Sequence, residues 1–192
     1  MPFWTSALSE PKRQHRFILR LPNLVSADEE HAYAEYLAKT FTKPSFAVSS
    51  TEHKFLGNTY FYPGSVTWND CAASLVNSLD PDGNQILYDA LTKSGYLRPD
   101  EQLDALREGN VGTVNKASAL AALGQVEVDE LTGTGDVAGT WILQNAFIID
   151  AKFGDLDYAG DDLLNIDITF KYDWATYDIG PAARAIHSGE SA

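Results

Sequence analysis

Apolar and polar residues alternate strictly near the C-terminal end of the chain, and this pattern is the clearest structural signal in the sequence. One polar residue separates each apolar position from the next, and the apolar positions are Ile166, Ile168, Phe170, Tyr172 and Trp174. Side chains of a β-strand point alternately to opposite faces, so a period of two predicts a long strand with one buried and one solvent-facing side.

A second apolar segment, from Thr140 to Phe153, precedes this strand and predicts another long strand or a pair of strands. The acidic loop from Gly154 to Asp162 joins the two, which predicts an antiparallel hairpin. Upstream, the alternating segment from Gln125 to Asp129 predicts a shorter strand, with a turn at Gly133 to Asp136. The segment from Ile179 to Ala192 is rich in Gly, Ala and Ser, and we expect it to be poorly ordered.

The N-terminal half contains further strand signals separated by turn residues. The apolar segment from Arg16 to Leu21 predicts a first strand, which Pro22 closes because proline cannot donate a hydrogen bond to a sheet. The range from Ser45 to Leu79 is rich in Val, Thr and aromatic residues and is interrupted at Gly57-Asn58 and Pro63-Gly64. We interpret it as an antiparallel meander of several strands joined by turns.

Between the first strand and this meander, the sequence predicts an amphipathic helix from Ala27 to Thr40. Ser26 and Glu29 have the spacing of a helix capping box. Apolar residues then recur at helical spacing before Pro44, at Tyr33, Tyr36, Leu37 and Phe41.

A second helical region follows the meander. The turn Asp80-Pro81-Asp82-Gly83 opens a short helix that ends at Gly95, with Ile86, Leu87 and Leu91 on one face. Pro99 begins another helical segment that carries Leu103 and Leu106, and the Ala-rich segment from Lys116 to Leu123 predicts one more. We interpret residues 97–124 as a helical insertion on a β scaffold.

These elements predict one mainly β domain spanning residues 1–192, an antiparallel β-barrel or sandwich with a flanking helix and helical insertions. A length of 192 residues, with 44% hydrophobic and 21% charged residues, is typical of one globular domain with a hydrophobic core. We expect a mobile N-terminal arm (1–15), the helical insertion (97–124) and a C-terminal tail (179–192). The sequence contains no internal repeat.

Charge narrows the range of functions. Acidic residues outnumber basic ones by 27 to 14, which gives a net charge of −13 and a field that repels nucleic acid. A sequence-reading DNA-binding protein is therefore not expected. The sequence has no run of about 20 apolar residues and no charged segment leading into an apolar run, so we expect neither a membrane span nor a signal peptide. The single cysteine, Cys71, predicts a small buried side chain and no internal disulfide.

No combination of residues predicts catalysis, a cofactor site or a metal site. The four histidines are dispersed, at His15, His31, His53 and His187, without metal-ligand spacing. The acidic loop contains Asp155, Asp157, Asp161 and Asp162 but has Ala159 and Ile166 where a calcium-binding EF-hand loop needs ligands. The turn at Asp80 fails the same test, with Gln85 in place of the required glycine, and is better explained as a helix cap. We therefore predict no enzyme activity.

The order of these elements resembles the tail tube proteins of T-even-like, contractile-tailed bacteriophages. The resemblance covers more than half of the chain and rests on four segments: Phe46 to Tyr96, Trp141 to Phe147, Ala151 to Tyr158, and Asp167 to Ala175. Within the first of these, Tyr60-Phe61-Tyr62-Pro63-Gly64 precedes the strand Val66-Thr67-Trp68. The predicted helices at 27–40 and 97–124 depart from the short form of the family, and the resemblance implies that they decorate the outside of a tube.

The resemblance implies a structural virion protein, made in the host cytoplasm, whose six copies form a ring. Stacked rings would form a hollow tube through which genomic DNA passes without specific binding. The implied partners are further copies of the chain, a tail sheath protein, and the baseplate tube-initiating and tail-terminating proteins. A tube initiator, a tube terminator and the inner tube of a phage-derived injection system remain alternatives within this class.

Two further hypotheses concern particular side chains. In a DNA conduit, acidic residues on a wet strand face would repel the duplex, and Asp155, Asp157, Asp167 and Asp173 are candidates for the lumen wall. The competing functional class is a small-ligand-binding β-barrel. Its cavity would be lined by the aromatic residues of the predicted strands, namely Tyr60, Phe61, Tyr62, Trp68 and Trp141.

Overall fold

The computed structural model describes residues 11–24, 37–80, 82–107 and 113–180, and within these ranges it contains ten strands and three helices. The strands are β1 (Phe17–Arg20), β2 (Ala38–Phe41), β3 (Ser45–Phe55), β4 (Asn58–Asn69), β5 (Cys71–Val76), β6 (Val126–Leu131), β7 (Val137–Gln144), β8 (Phe147–Lys152), β9 (Asn165–Lys171) and β10 (Trp174–Ile179). The helices are α1 (Gly83–Lys93), α2 (Pro99–Arg107) and α3 (Lys116–Leu123).

Eight strands form two antiparallel four-stranded sheets. The first sheet has the order β1-β6-β7-β10, and the second has the order β2-β5-β9-β8. The edge strands β1 and β2 lie against each other, so the two sheets meet on that side. The predicted class, a mainly antiparallel β fold of barrel or sandwich type with accompanying helices, is confirmed.

A single hydrophobic core lies between the sheets. The first sheet contributes Leu19, Val126, Val128 and Leu143 to it, and the inward-facing residues of the second sheet include Leu75, Ile166, Ile168 and Phe170. All of these side chains are at most 2% exposed. The inner faces of α1 and α3 complete the core with Ile86, Leu87, Ala90 and Leu123. Burial of this apolar surface is the dominant favourable contribution to folding.

The C-terminal hairpin is confirmed, but its last strand is broken where the prediction was continuous. β9 pairs with β8 in the second sheet, whereas β10 pairs with β7 in the first. The chain changes sheet at Asp173, whose amide donates to the Gln144 carbonyl at 3.0 Å. This extra residue shifts the alternation, so Tyr172 is buried as predicted while Trp174 is 47% exposed and Ala175 is buried instead.

The first strand is confirmed as β1, but the C-terminal part of the predicted helix is wrong. Ala38–Phe41 forms β2, which pairs with β5 and places Phe41 opposite Ala73. The amide of Thr42 continues this pairing by donating to the Ala72 carbonyl at 2.7 Å. Sheet hydrogen bonds to β5 therefore override the helical spacing of the apolar residues. Residues 25–36 of the predicted helix lie outside the described residues.

The predicted meander contains three strands, but they do not form one sheet. Among the described strands, β3 and β4 pair with each other and with no other strand, while β5 belongs to the second sheet. The turn predicted near Gly57 is present, whereas the turn predicted at Pro63-Gly64 is wrong because both residues lie inside β4. The result is a long two-stranded hairpin outside the two-sheet body.

The three helices follow the predicted signals at residues 83–95, 99 and 116–123. The Asp82 carboxylate accepts from the Asn84 amide at 2.9 Å and caps α1, and Gly95 has the positive φ, 105°, that favours glycine after a helix. Asn115 caps α3 by accepting from the Ser118 amide at 2.9 Å. Leu91, predicted on the buried face of α1, is 44% exposed because it lies at the edge of that face.

At the two ends of the described chain, segments expected to be loose make ordered contacts. Lys12 pairs with Glu130 of β6, and Ile179 is the last residue of β10. The Gly180 amide then donates to the Ala138 carbonyl at 3.0 Å. Residues 1–10 and 181–192, which make up the rest of the predicted arm and tail, lie outside the described residues.

Candidate assembly surfaces

The β3–β4 hairpin is the most exposed regular element of the described chain. Every residue of β3 is exposed, and within β4 only Trp68 is half-buried. Strands of 11 and 12 residues extend about 35 Å at the usual rise per residue. A two-stranded hairpin without a supporting layer is only marginally stable in water. Among the described residues, no second layer supports the outer part of this hairpin.

The aromatic side chains of the hairpin are concentrated on one face beyond its midpoint. Register pairs His53 with Tyr60 and Thr51 with Tyr62, and paired residues share a face. Phe55 lies on this same face, and the opposite face has Phe61 beside the ion pair between Lys54 and Glu52 at 3.5 Å. One face of the outer hairpin thus exposes three aromatic side chains, and the reverse side combines Phe61 with charged residues.

The tip of the hairpin has an unusual backbone conformation. Phe55 pairs with Asn58, so the loop consists of Leu56 and Gly57, with φ angles of 47° and 78°. A two-residue turn with both φ values positive favours Asn-Gly, and a leucine at its first position is disfavoured. Leu56 is nevertheless 84% exposed. Strained backbone is found more often at functional sites, and this tip combines it with an exposed apolar side chain.

A bulge bends the hairpin at Pro63-Gly64. Val48 pairs with Val66 and Ser50 with Pro63, so Ser49 alone faces two residues of β4. The Ser49 hydroxyl accepts from the Ser65 amide at 2.9 Å and replaces a hydrogen bond of the regular ladder. A Cβ on Gly64 would lie 2.4 Å from the Ser49 hydroxyl oxygen, which explains the glycine. The bulge changes the direction of the outer half of the hairpin.

An aromatic contact chain attaches the hairpin to the body. The rings of Phe46 and Trp68 pack edge to face at 5.5 Å, and Trp68 lies 6.1 Å from the ring of Tyr172. Burial raises the pKa of the Tyr172 phenol, with the neighbouring Cys71 thiol adding to the effect. Burial likewise raises the pKa of Cys71, so its thiol stays protonated and unreactive at neutral pH. These groups fix the base of the hairpin.

A second candidate surface is an apolar groove between α1, α3 and β8. The groove has a volume of about 890 Å³. Its wall includes Leu87, Leu91, Tyr96, Val114, Phe147 and Ile149. The aromatic residues predicted to line a ligand cavity are elsewhere: Tyr60, Phe61 and Tyr62 are exposed on the hairpin, and Trp141 packs on Tyr177 at 4.9 Å. The residues that form the groove come from distant segments, which sequence periodicity does not connect.

A third surface is a basic groove where β1 and β2 meet. It has a volume of about 550 Å³ and is lined by cationic side chains, namely Lys12, Arg13, Arg16, Lys39 and Lys43, with His15 beside them. Glu130 lies in its floor and accepts hydrogen bonds from Lys12 and Lys43. Local periodicity does not indicate this groove, because its cations come from two separate segments, residues 12–16 and 39–43, that meet only in the folded chain.

Glu130 organises the floor of the basic groove. Burial alone would raise the pKa of this carboxyl, but the two lysines more than offset that effect and hold it below its usual range. Burial also opposes the charge on Lys12, yet hydrogen bonds to Glu130 and to the Tyr177 hydroxyl, at 2.8 Å, raise its pKa. Both charged forms are therefore stabilised, and among the described residues that line the groove the cations outnumber the single carboxylate.

The acidic loop between β8 and β9 is fully exposed. Residues 153–163 all face solvent, and Leu156 and Tyr158 are among them. Asp157 shapes the loop by accepting from the Ala159 amide at 3.0 Å. Within the described residues, no group of three or more His, Cys, Asp or Glu side chains is arranged to hold a metal ion.

The remaining predicted site residues do not form a catalytic arrangement. His53 is exposed on the hairpin, His15 borders the basic groove, and His31 and His187 lie outside the described residues. Of the candidates for a lumen wall, Asp167 is exposed on β9, whereas Asp173 pairs with Lys116 at 2.7 Å and accepts from Asn145 at 2.7 Å. Those two partners lower the pKa of Asp173, so it has a structural role at the change of sheet.

The sequence matches no protein-family model, and no curated protein is significantly similar to it. The three-dimensional fold, however, is similar to that of solved structures. A chain of the sheath-tube complex of an extracellular contractile injection system in its extended state aligns with a TM-score of 0.59 at 15% identity, covering 88% of this chain and 92% of that one.

Two further solved structures show the same similarity. The sheath/tube terminator of such a system aligns with a TM-score of 0.57 at 15% identity, over 90% of this chain and 99% of the other. The tube-terminating cap of the anti-feeding prophage aligns with a TM-score of 0.58 at 17% identity, over 94% and 100%. The chain therefore has a tail-tube-like fold, as the resemblance implied. Among the described helices, none has the length and apolar character needed to cross a membrane.

Proposed function

We propose that this chain is a structural subunit of a contractile tail tube. In this proposal six copies form a ring, rings stack into a hollow tube, and the protein has no catalytic role. The observation that carries the proposal is the β3–β4 hairpin, an exposed element that is too long and too apolar to be stable alone. A neighbouring copy would cover its aromatic face and the Leu56 tip.

The open edges of the two sheets support assembly independently. β10 is an edge of the first sheet and β8 an edge of the second, and unpaired edges are sites for pairing with another chain. A ring formed by head-to-tail contacts gives every copy the same partner on each side and leaves no unmatched edge. Ring closure would therefore complete the hydrogen bonding at edges that the described strands of the single chain leave open.

The structural similarities support a place for this chain in a contractile tail or injection particle. The matched structures belong to sheath-tube, terminator and cap assemblies, and another is the baseplate of the anti-feeding prophage, with a TM-score of 0.52 at 16% identity. We propose corresponding partners here: a tail sheath protein, and tube-initiating and tube-terminating proteins. The location would be a phage virion assembled in the host cytoplasm, or a phage-derived injection particle. A terminator or initiator role would use the same fold.

The charge of the chain fits a conduit for DNA. A net charge of −13 repels phosphates, so a duplex would pass through the lumen without being held. Asp167 remains a candidate for the lumen wall because it is exposed on β9. We expect assembled tubes not to bind duplex DNA in a filter-binding assay at low salt. Tight binding that weakens as salt is added would contradict the conduit.

Negative-stain electron microscopy of the purified protein at low and high concentration tests the proposal, with light scattering to measure mass. We expect six-fold rings or hollow tubes at high concentration. A protein that stays a 21.0 kDa monomer at every concentration, also when mixed with preformed rings or tube ends as templates, would contradict it.

Two leucine variants test whether the hairpin is the assembly element. Leu56→Ser removes the exposed side chain at the tip, and Leu103→Ser removes a comparably exposed leucine from α2. We expect the first variant to raise the concentration needed for assembly about tenfold and the second to leave it unchanged. Equal effects, or none, would assign assembly to another surface.

The second candidate function is binding of a small apolar ligand. The groove between α1, α3 and β8 favours it, since a volume of about 890 Å³ is in the range of small-molecule sites. Leu91→Lys would place a charge in this groove, and Lys93→Leu would serve as a control of similar size on the exposed side of α1. Binding of an apolar fluorescent dye by the monomer, lost only in Leu91→Lys, would support this function.

A further inference from the structure

We propose that the basic groove at the β1–β2 junction receives the acidic loop, residues 154–162, of a neighbouring copy. This inference rests on the proposed assembly into rings and specifies the contact that joins adjacent subunits. Its occupant is a second copy of this chain, and the carrying observation is charge complementarity between two surfaces on opposite sides of the fold.

The groove has the chemistry to bind a carboxylate-rich segment. Five lysine and arginine side chains line it, out of 14 in the whole chain, and Glu130 is the carboxylate in its floor. Lys12 and Lys43 each donate a hydrogen bond to the Glu130 carboxylate, although both lysine side chains remain more than half exposed. Arg13 and Lys39 are exposed at its rim. In a chain of charge −13, this concentration of cations needs a specific explanation.

The loop has matching chemistry. Asp155, Asp157, Asp161 and Asp162 lie within eight residues, and no lysine or arginine interrupts them. Leu156 is 88% exposed, and Tyr158 is fully exposed beside it. In an interface these two side chains would be removed from water, which favours association. The groove supplies an apolar component for them with Phe17, Phe41 and Leu131.

The topology places the two surfaces where adjacent copies would meet. In the second sheet, β2 and β8 are opposite edges with β5 and β9 between them, a separation of about 14 Å at the usual strand spacing. The groove lies on β2, and the loop follows β8. Among the described residues, none from the loop lines the groove of its own chain. One copy can therefore present its loop to the groove of the next, which is the head-to-tail arrangement that closes rings.

This assignment gives Asp155 a role in the contact between copies in place of the lumen wall. Opposite charges brought together across an interface increase the association rate and fix the register of the partners. The same charges would make assembly sensitive to salt, because added ions screen exposed pairs.

Charge reversal tests the contact. The variant Arg13→Glu/Lys39→Glu reverses the groove rim, and Asp155→Lys/Asp161→Lys reverses the loop. Each is expected to raise the concentration needed for assembly roughly tenfold or more, because like charges would then face each other. A chain carrying all four substitutions restores opposite charges and should recover assembly. The control Lys93→Glu/Asp89→Lys, on α1, should assemble like the unaltered protein.

Carbodiimide cross-linking of a mixture of isotope-labelled and unlabelled protein identifies the contact directly. We expect amide bonds between groove lysines, Lys39 above all, and loop aspartates of the other copy, detected by mass spectrometry. Assembly that is insensitive to both reversals and free of such cross-links would overturn this inference and leave the proposed tube function standing. A protein that never assembles would overturn the proposed function and this inference together.

Discussion

The β3–β4 hairpin and the two-sheet body use the same kinds of strand residues but place them in opposite environments. In the body, apolar side chains such as Phe170 face the core and are fully buried. In the hairpin, Phe61 is 69% exposed, and none of the described elements forms a second layer over it. The body is stabilised by its own packing, whereas the hairpin lacks a packing partner within the described chain. The apolar strand residues of the body thus stabilise the fold of the single chain, whereas those of the hairpin remain exposed in it.

The largest difference should appear in hydrogen exchange of the isolated monomer. Core strands open only with free energies approaching that of global unfolding, whereas a thinly supported hairpin opens at almost no cost. We expect amides of β9 to exchange at least about a thousandfold more slowly than those of the outer hairpin, a difference of roughly 4 kcal/mol. Mass spectrometry at peptide resolution measures this.

Assembly should then slow the hydrogen exchange of the hairpin amides and leave that of the β9 amides nearly unchanged. If hairpin amides in the dilute monomer are already protected as strongly as those of β9, the hairpin is stable alone and the contrast between the regions is wrong.

Two phenylalanine substitutions compare how much a side chain of the body and one of the hairpin contribute to the stability of the monomer. Phe170→Ala removes a fully buried ring and should lower the free energy of unfolding by about 3–5 kcal/mol. Phe61→Ala removes an exposed ring and should change monomer stability by less than about 0.5 kcal/mol. Urea denaturation of both variants under monomeric conditions gives the values. A large loss of monomer stability in Phe61→Ala would show that the ring packs on the body.

The Glu130→Gln substitution tests the charged floor of the basic groove, which belongs to the body. Loss of charge-assisted hydrogen bonds from Lys12 and Lys43 should lower the free energy of unfolding by about 1–2 kcal/mol. The folded pKa of Glu130 is lowered, so its contribution is complete above the unfolded pKa and is lost as pH falls through the folded value.

Chemical denaturation from pH 7 to pH 3 measures this effect. The stability difference between wild type and Glu130→Gln should be constant at neutral pH and should shrink toward the acidic end of the range. A difference that grows on acidification would contradict the assigned direction. Glu52→Gln on the hairpin, where the carboxylate is exposed, is the control and should show almost no difference.

The smallest expected effect concerns the hairpin tip. Leu56→Asn replaces a residue that tolerates a positive φ poorly with one that favours it, and should stabilise the hairpin by about 1 kcal/mol. The same change removes the apolar tip and should weaken assembly. Hydrogen exchange of the hairpin and light scattering test the two consequences. If Leu56→Asn assembles better than the unaltered protein, the leucine is not an assembly contact.

Most strands could be predicted from the sequence because period-two alternation reports directly on a face buried in a sheet. Ile166, Ile168, Phe170 and Tyr172 follow that rule and are buried. The break before Trp174 could not be predicted, since the alternation continues across it. It depends on pairing with Gln144, a residue about 30 positions away, and local periodicity carries no information about that partner.

The β3–β4 hairpin shows a second limit of prediction from the sequence. Its aromatic residues have the pattern of strand residues and do form strands, but a strand pattern does not indicate whether a second layer covers it. Pro63-Gly64 has the composition of a turn and forms a bulge, because Ser49 on the opposite strand satisfies the Ser65 amide. The basic groove was not predicted at all, since Lys12, Lys43 and Glu130 come together only through the pairing of β1 with β6 and of β2 with β5.

The change of sheet near Asp173 also has a mechanical consequence. Two chain segments cross between the sheets at this corner, β7 into β8 and β9 into β10, and the Asn145–Asp173 hydrogen bond joins the crossings at 2.7 Å. If one sheet slid over the other, the backbone at both crossings would be stretched before the apolar side chains of the core moved past each other. Under tension or torque, the subunit body would therefore behave as a rigid block, and deformation would concentrate in the hairpin and in the contacts between copies.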